Sequence, residues 1–314
     1  MDRVARVLEG AVDLHVHPAP SPMPRRMDAV DAARLAEEAG FRAIVVKSHH
    51  HSTVTDVLAL QRDGLNDGSG VRVFGGVALN GPVGGLNPRA VDLALKMGGR
   101  IVWFPTIGSP QHIRHHAAHP DLKFPKLAVK LRPEEPIEVR DERGALKPEV
   151  YEILEAIRDA DAILASGHMA PDQITAVFEA AREVGVRRML VNHPNFVIEA
   201  SYEDARRWVA LGAYIEHSLC MYDEASTFHH WDLDTLVGWI EAIGPERSTL
   251  GSDLGQMNNP LPTDSFRKIV GRLLERGMRD DDVRRMVRDN PAALLDADRD
   301  PQSHEEERSV NANA

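Results

Sequence analysis

Apolar runs alternate with helical patterns about eight times along the chain. The extended runs fall at 11–17, 42–48, 71–79, 100–105, 161–167, 187–192, 212–217 and 248–252. Several are apolar throughout, such as Ala43-Ile44-Val45-Val46 and Met189-Leu190-Val191, as expected of parallel strands buried on both faces. Helical periodicity fills 28–39, 53–63, 88–97, 148–159, 171–184, 202–210, 233–243 and 263–276. Pro171 falls in the first turn of its helix, where a missing N–H costs nothing. Gly40, Gly98, Gly185 and Gly212 follow four of these helices, where a left-handed C-terminal cap is expected. Strand–helix alternation predicts a parallel sheet with crossover helices. Eight such units predict a closed (β/α)₈ TIM-like barrel, a single α/β domain over 1–297. An open doubly wound sheet is the weaker choice, because no G-x-G-x-x-G follows the first strand.

Two stretches depart from the pattern. Residues 106–147 form a long insertion after the fourth strand, too long for an ordinary βα loop. Within it Leu127–Leu131 and Ile137–Arg140, followed by Asp141-Glu142-Arg143-Gly144, read as a small β-hairpin or flap. Residues 298–314 are polar and read as a disordered tail.

The polar residues that interrupt this pattern cluster where the predicted strands stop. Val12-Asp13-Leu14-His15-Val16-His17 is an extended run, so period-two alternation directs Asp13, His15 and His17 the same way. Two imidazoles converging from a strand end suit one transition-metal ion. Lys47 and His49 end the second strand and His168 the fifth. His193 ends the sixth, Glu216 or His217 the seventh, and Asp253 the eighth. In a (β/α)₈ barrel the C-terminal strand ends carry the working groups. Asp13 reads as a supporting carboxylate behind the ligands rather than a ligand.

Composition narrows the partners. A net charge of −11 argues against nucleic acid and anionic membranes, both of which need a basic face. There is no long apolar span and no signal-peptide pattern, and the lone Cys220 rules out an internal disulfide framework. A cytoplasmic protein acting on a small molecule is expected, with a homo-oligomer as an option.

DLHVHP, Ser166-Gly167-His168, Val191-Asn192-His193-Pro194, Gly251-Ser252-Asp253 and the closing DNPAALL together resemble the amidohydrolase superfamily of metal-dependent barrel hydrolases. GGVALNGPVGGLNP and IVWFPT resemble, more narrowly, an uncharacterised amidohydrolase-like bacterial family. The resemblance implies one or two divalent ions, usually Zn²⁺, with His15, His17 and Asp253 on one of them. It implies that His168 and His193 hold a second ion or orient the substrate. The superfamily's bridging carboxylated lysine belongs on the fourth strand, but Ile101-Val102-Trp103-Phe104-Pro105-Thr106 has no lysine, and Lys47 is the substitute, with His49 beside it. Asp253 and His193 are the implied catalytic groups. The reaction implied is opening of a small amide, cyclic amide or imide, or lactone by a metal-activated water.

Competing uses remain for several residues. Asp253 could cap a helix beginning at Leu254. His168 and His193 could be loop histidines bonding backbone, and Lys47 a solvated charge. Arg25, Arg26 and the histidines between 112 and 119 could meet an anionic substrate group or form a wet loop. Pro82–Pro88 could cradle an anion or make a tight turn, and the turn is preferred. Two other enzyme classes share the strand-one motif. One is phosphoester hydrolysis of the polymerase-and-histidinol-phosphatase type, which usually ends in Asp-x-His where this chain has Asp253-Leu254-Gly255. The other is zinc-dependent nonoxidative decarboxylation. A scaffold with a degenerate site is the non-enzymatic alternative.

Overall fold

A computed structural model describes residues 2–64, 70–122 and 127–295. The expected tail at 298–314 lies outside the described residues. Strands β1 (Val12–Val16), β2 (Ala43–Val46) and β3 (Arg72–Phe74) form one parallel sheet. The second sheet runs in chain order through β4 (Gly76–Ala78), β5 (Ile101–Trp103), β6 (Ile163–Ala165), β7 (Arg188–Asn192), β8 (Tyr214–Ser218) and β9 (Ser248–Gly251), all parallel. After the N-terminal α1 (Arg3–Leu8), the helices are α2 (Ala29–Glu38), α3 (Val54–Arg62), α4 (Pro88–Lys96), α5 (Pro110–Ala118) and α6 (Pro148–Asp159). Then come α7 (Pro171–Val184), α8 (Tyr202–Ala210), α9 (Leu233–Ile243), α10 (Pro262–Glu275), α11 (Asp280–Arg284) and α12 (Asn290–Leu295). Each helical interval read from the sequence holds a helix. Gly40, Gly98, Gly185 and Gly212 all take positive φ, as their places after helices require. No helix among the described residues is long and apolar enough to cross a membrane.

The third predicted strand is broken in two at Gly75, and Thr53 is the cause. Its backbone N–H donates to Gly76 O (3.0 Å), its hydroxyl donates to Val46 O (2.8 Å), and Gly76 N–H donates to that hydroxyl (3.0 Å). Thr53 thus takes the bonds that β2 and the middle of this strand would have exchanged. Only glycines tolerate the approach: a Cβ on Gly75 would sit 2.9 Å from the Thr53 backbone. At the other edge, β1 lies beside the segment that follows β9. Asp253 N–H donates to His15 O (2.9 Å) and His17 N–H to Leu254 O (2.8 Å), with a parallel bridge between Val16 and Leu254.

Alternate strand residues divide the core. Val12, Leu14, Ala43, Val45, Ile101, Trp103, Ile163, Ala165 and Leu190 share an inner cluster, closed from below by Leu294 and Leu295 of α12. Their neighbours Val16, Ile44, Val46, Val102, Leu164 and Val191 face the surrounding helices. The inner cluster fills the lower part of the strand layer and leaves the C-terminal strand ends to polar side chains.

The segment between β5 and α6 differs from its expected form. Over 127–139 there is no strand. Among its described residues the only pairing is an antiparallel bridge of Arg140 with Leu146 around a turn at 141–144, where Asp141 accepts from Arg143 N and Ala145 N. The expected hairpin of 127–131 with 137–140 is therefore not formed; what is present is a tight turn whose sharp reversal Asp141 and Gly144 supply. Residues 110–118, expected as loop, are the helix α5, started by Pro110 after Ser109.

Candidate metal centre

A β-bulge builds the centre. β1 pairs with β2 as Asp13 with Ile44 and Val16 with Val46, so three steps on one strand match two on the other. Leu14 and His15 together oppose Val45, and His15 is thereby turned to the inner face with His17, while Asp13 stays outside. This corrects the expectation that Asp13 shares the direction of His15. Asp13 lies instead in a separate cavity with Met27, Phe41 and Ile44, and its Oδ1 accepts from His15 N and Ser252 N, both at 3.0 Å. It takes up backbone donors that the bulge leaves without a ladder partner. Burial pushes its carboxyl up to about 7.

His15, His17 and Asp253 converge, each offering one ligand atom within 4.8 Å of the others. His15 Nε2 is 3.3 Å and His17 Nε2 3.0 Å from Asp253 Oδ1. The other nitrogen of each ring is committed. His15 Nδ1 donates to Glu216 Oε1 (2.6 Å), and His17 Nδ1 donates to the Lys47 carbonyl (3.1 Å). Both partners only accept, so in the neutral rings the Nε2 atoms carry lone pairs. Two ring lone pairs and a carboxylate oxygen therefore face one another, with the Lys47 ammonium 3.0 Å from His15 Nε2 as the cationic donor beside them. Glu216 is itself fixed by Asn192 Nδ2 (3.0 Å), which completes the carboxylate–histidine pattern that supports metal ligands.

The remaining predicted residues surround this trio. Lys47 Nζ donates to His15 Nε2 at 3.0 Å and lies over the Trp103 ring. His49 stacks on His17 with centroids 5.0 Å apart, and its Nδ1 meets Thr106 Oγ1 at 2.9 Å. His193 packs against His168 at 4.9 Å and near His15 at 6.2 Å. His168 Nδ1 is 2.9 Å from His112 Nδ1 of α5. His193 and Asp253 both have positive φ, 26° and 53°, a strained backbone of the kind that collects at functional sites.

Electrostatics keeps the set ready for a cation. Burial pushes His17 down to about 3 and His193 to about 4, and it lowers His49 and His168 well below the ordinary histidine value. Burial opposes ionisation of Asp253 and Glu216, yet Glu216 is held below the usual carboxylate range by His15 and by the Asn192 hydrogen bond, and Asp253 by His15 and His17 when those rings carry a proton. Burial also brings Lys47 down to about 8. Neutral imidazoles and an ionised carboxylate are the forms a metal requires.

The cavity above the centre has two unlike walls. One consists of the histidines, Lys47 and Asp253. The other is apolar: Met23, Phe196, Val197, Met221 and Phe228. Arg25 also lines it, and burial lowers its guanidinium to about 10.

A family of unknown function, DUF6282, matches residues 10–216, well over half the chain. The chain belongs to this family. The match includes His15, His17, Lys47, His49, His168, His193 and Glu216 and stops short of Asp253. No curated protein matches the chain in sequence. Among solved structures it resembles an amidohydrolase from Pseudomonas aeruginosa, with a TM-score of 0.62, 11% identity, and 93% of this chain and 98% of that one covered. It also resembles the organophosphorus hydrolase from Deinococcus radiodurans, with a TM-score of 0.55, 15% identity and 93% of each chain covered. A third likeness is to a weak promiscuous lactonase template engineered for organophosphate hydrolysis, with a TM-score of 0.55, 14% identity, and 94% and 98% covered. At such identities the likeness is one of fold: α/β with parallel sheets, as in the amidohydrolase and organophosphorus hydrolase structures.

Several competing readings of single residues can now be set aside. Asp253 caps no helix at Leu254, since the next helix starts at Pro262. His217 faces away from the cavity, its Nε2 3.2 Å from Ser248 Oγ. Arg26 donates to Asn259 O and does not line the cavity. Pro82–Pro88 is a turn ending in an Asn87 cap that accepts from Arg89 N and Ala90 N. Sequence reasoning missed His112 as an individual residue. Its Ser109-Pro110 helix start was the available signal, and helical spacing from there would have separated His112 from the exposed histidines.

Proposed function

We propose that this protein is a metal-dependent hydrolase acting on a small amide, cyclic amide or imide, or lactone. The working framework is a closed (β/α)₈ barrel, with β3 and β4 counted as one kinked strand and β1 meeting the chain after β9. The observation that carries the reading is the convergence of His15 Nε2, His17 Nε2 and Asp253 Oδ1, three ligand atoms within 4.8 Å of one another. The donor set, two imidazoles and a carboxylate, suits Zn²⁺. Lys47, His49, His168 and His193 are near enough to assist a first ion or hold a second. When bound, such an ion supplies Lewis acidity toward a carbonyl oxygen and brings the pKa of water down to about 7.

The chain's own groups supply the rest. Asp253, held ionised, accepts the proton of the attacking water as its oxygen bonds to the carbonyl carbon. It returns that proton to the nitrogen or oxygen that leaves as the C–N or C–O bond breaks. His193, neutral and buried beside His15, orients the carbonyl. Glu216 and Asn192 hold His15 in one tautomer. The apolar wall of Met23, Phe196, Val197, Met221 and Phe228 takes the substrate's hydrocarbon part and excludes water around the reacting bond.

Arg25 favours a second reading, phosphoester hydrolysis. Its Nε is buried with no hydrogen-bond partner, and it lines the same cavity, where an anionic group would meet it. Product analysis on a panel of lactones, cyclic amides and phosphoesters tests both readings. A new carboxylate supports the first reading and free phosphate the second, whereas released CO₂ points to a decarboxylase. No turnover by zinc-loaded protein on any of them would contradict a hydrolase.

A further inference from the structure

Helix α5 brings a second pair of histidines to a carboxylate. His115, in the last turn of α5, and His119, the residue that caps its C-terminus, meet Glu199 from the segment after β7. Each offers one ligand atom within 4.8 Å of the others. We propose that His115, His119 and Glu199 form a separate transition-metal site, suited to Zn²⁺, that clamps α5 to the 193–200 segment.

The hydrogen bonds prepare these groups for a metal. His119 Nδ1 donates to the His115 carbonyl (2.9 Å), a pure acceptor, so the neutral ring keeps its lone pair on Nε2. His115 Nδ1 donates to Glu199 Oε1 at 2.8 Å, and the proton in that bond is the one a metal would displace. The other Glu199 oxygen accepts from Gln111 Nε2 (3.1 Å), which also donates to Val197 O (3.0 Å). The carboxylate is thus aimed by a neighbour, as metal-binding carboxylates usually are. The His115 side chain is only 8% exposed and that of Glu199 52%, so three protein ligands leave one open position on the solvent side. Two imidazoles with one carboxylate favour zinc and its neighbours over Mg²⁺ or Ca²⁺.

The clamp would act on the central cavity. α5 contributes His112 to that cavity, and the 193–200 segment contributes Phe196 and Val197. The His115 ring also meets Phe196 edge-on at 5.5 Å. An ion joining the two elements fixes one wall of the cavity without touching the proposed reacting groups.

The test is equilibrium dialysis of the intact protein against Zn²⁺, read by elemental analysis. Wild type should bind one equivalent more than His119→Ala or Glu199→Gln at the same free zinc. Asp253→Asn should keep this equivalent whatever happens at the central site, which separates failure here from failure there. Zinc should slow amide exchange across 110–119 and 193–200 in wild type but not in His119→Ala. Wild-type stoichiometry in both His119→Ala and Glu199→Gln would overturn the site, and zinc binding without slowed exchange would overturn the clamp.

Discussion

Two pairs of histidines meet a carboxylate in this protein, and the pairs are built in opposite ways. His15 and His17 stand two residues apart at the end of a bulged strand, buried, facing a carboxylate 238 and 236 residues further along the chain at Asp253. His115 and His119 stand four apart at the C-terminal end of a helix and face Glu199 near the surface. In the first pair both outer ring nitrogens are tied to acceptors, one just after β2 and one on β8, so the strand layer sets their tautomers. In the second, one ring is tied to its own helix and the other to the carboxylate itself. A site whose geometry is imposed by the scaffold binds without having to order its ligands first. The central site should therefore hold its ion tightly, and the surface site should fill only as zinc rises.

The sharpest break of this comparison is Asp253→Asn. Loss of this ligand and base should cost turnover about 10²–10⁴-fold and lower the melting temperature of the zinc-loaded protein. An active variant would reduce Asp253 to a bystander. Gly255→Ala should be the most damaging to folding, because φ there is +134° and a Cβ would lie 2.1 Å from His17 O. The strained conformation alone costs about 1–3 kcal/mol, and thermal denaturation would reveal a neutral substitution if the approach is not as close as this.

Acid should strike the buried histidines of the chelator-treated protein. His17, His193 and His217 are pushed by burial to about 3, 4 and 4. Each stays neutral in the fold while the unfolded chain gains a proton, so stability present above about pH 6.5 is lost as pH falls toward 4. Each such group costs about 1.4 kcal/mol per pH unit in that window. A melting temperature that is flat between pH 6.5 and 5 would contradict neutral burial. Glu216→Gln should be milder, with about 10–100-fold weaker metal binding or activity. His119→Ala should leave turnover at low zinc unchanged, and a large loss would mean that α5 takes a more direct part than the wall of a cavity.

How much of this could be read from the chain depends on which forces set each part. The eight strand–helix units were legible because burial on both faces imposes continuous apolar runs, as at Ala43–Val46. His15, His17, Lys47, His49, His168, His193 and Asp253 were legible as a group because each closes such a run, and all of them line one cavity. Their roles remain proposals. The bulge was not legible: strict period two grouped Asp13 with His15, and only the pairing with Ile44 and Val46 reveals the extra residue. The break at Gly75 depends on Thr53, a contact between segments that no local pattern contains, although Gly75-Gly76 within a strand hints at a close approach. Helix α5 was hidden by its composition. It buries His112 and Gln111 in place of an apolar stripe, so periodicity had nothing to detect.

The most direct test is diffraction from crystals of protein purified without chelator, with anomalous data at the zinc edge. We predict a peak about 2.0–2.2 Å from His15 Nε2, His17 Nε2 and an Asp253 oxygen. A peak found only beside His115, His119 and Glu199, or no peak at all, would contradict the central claim.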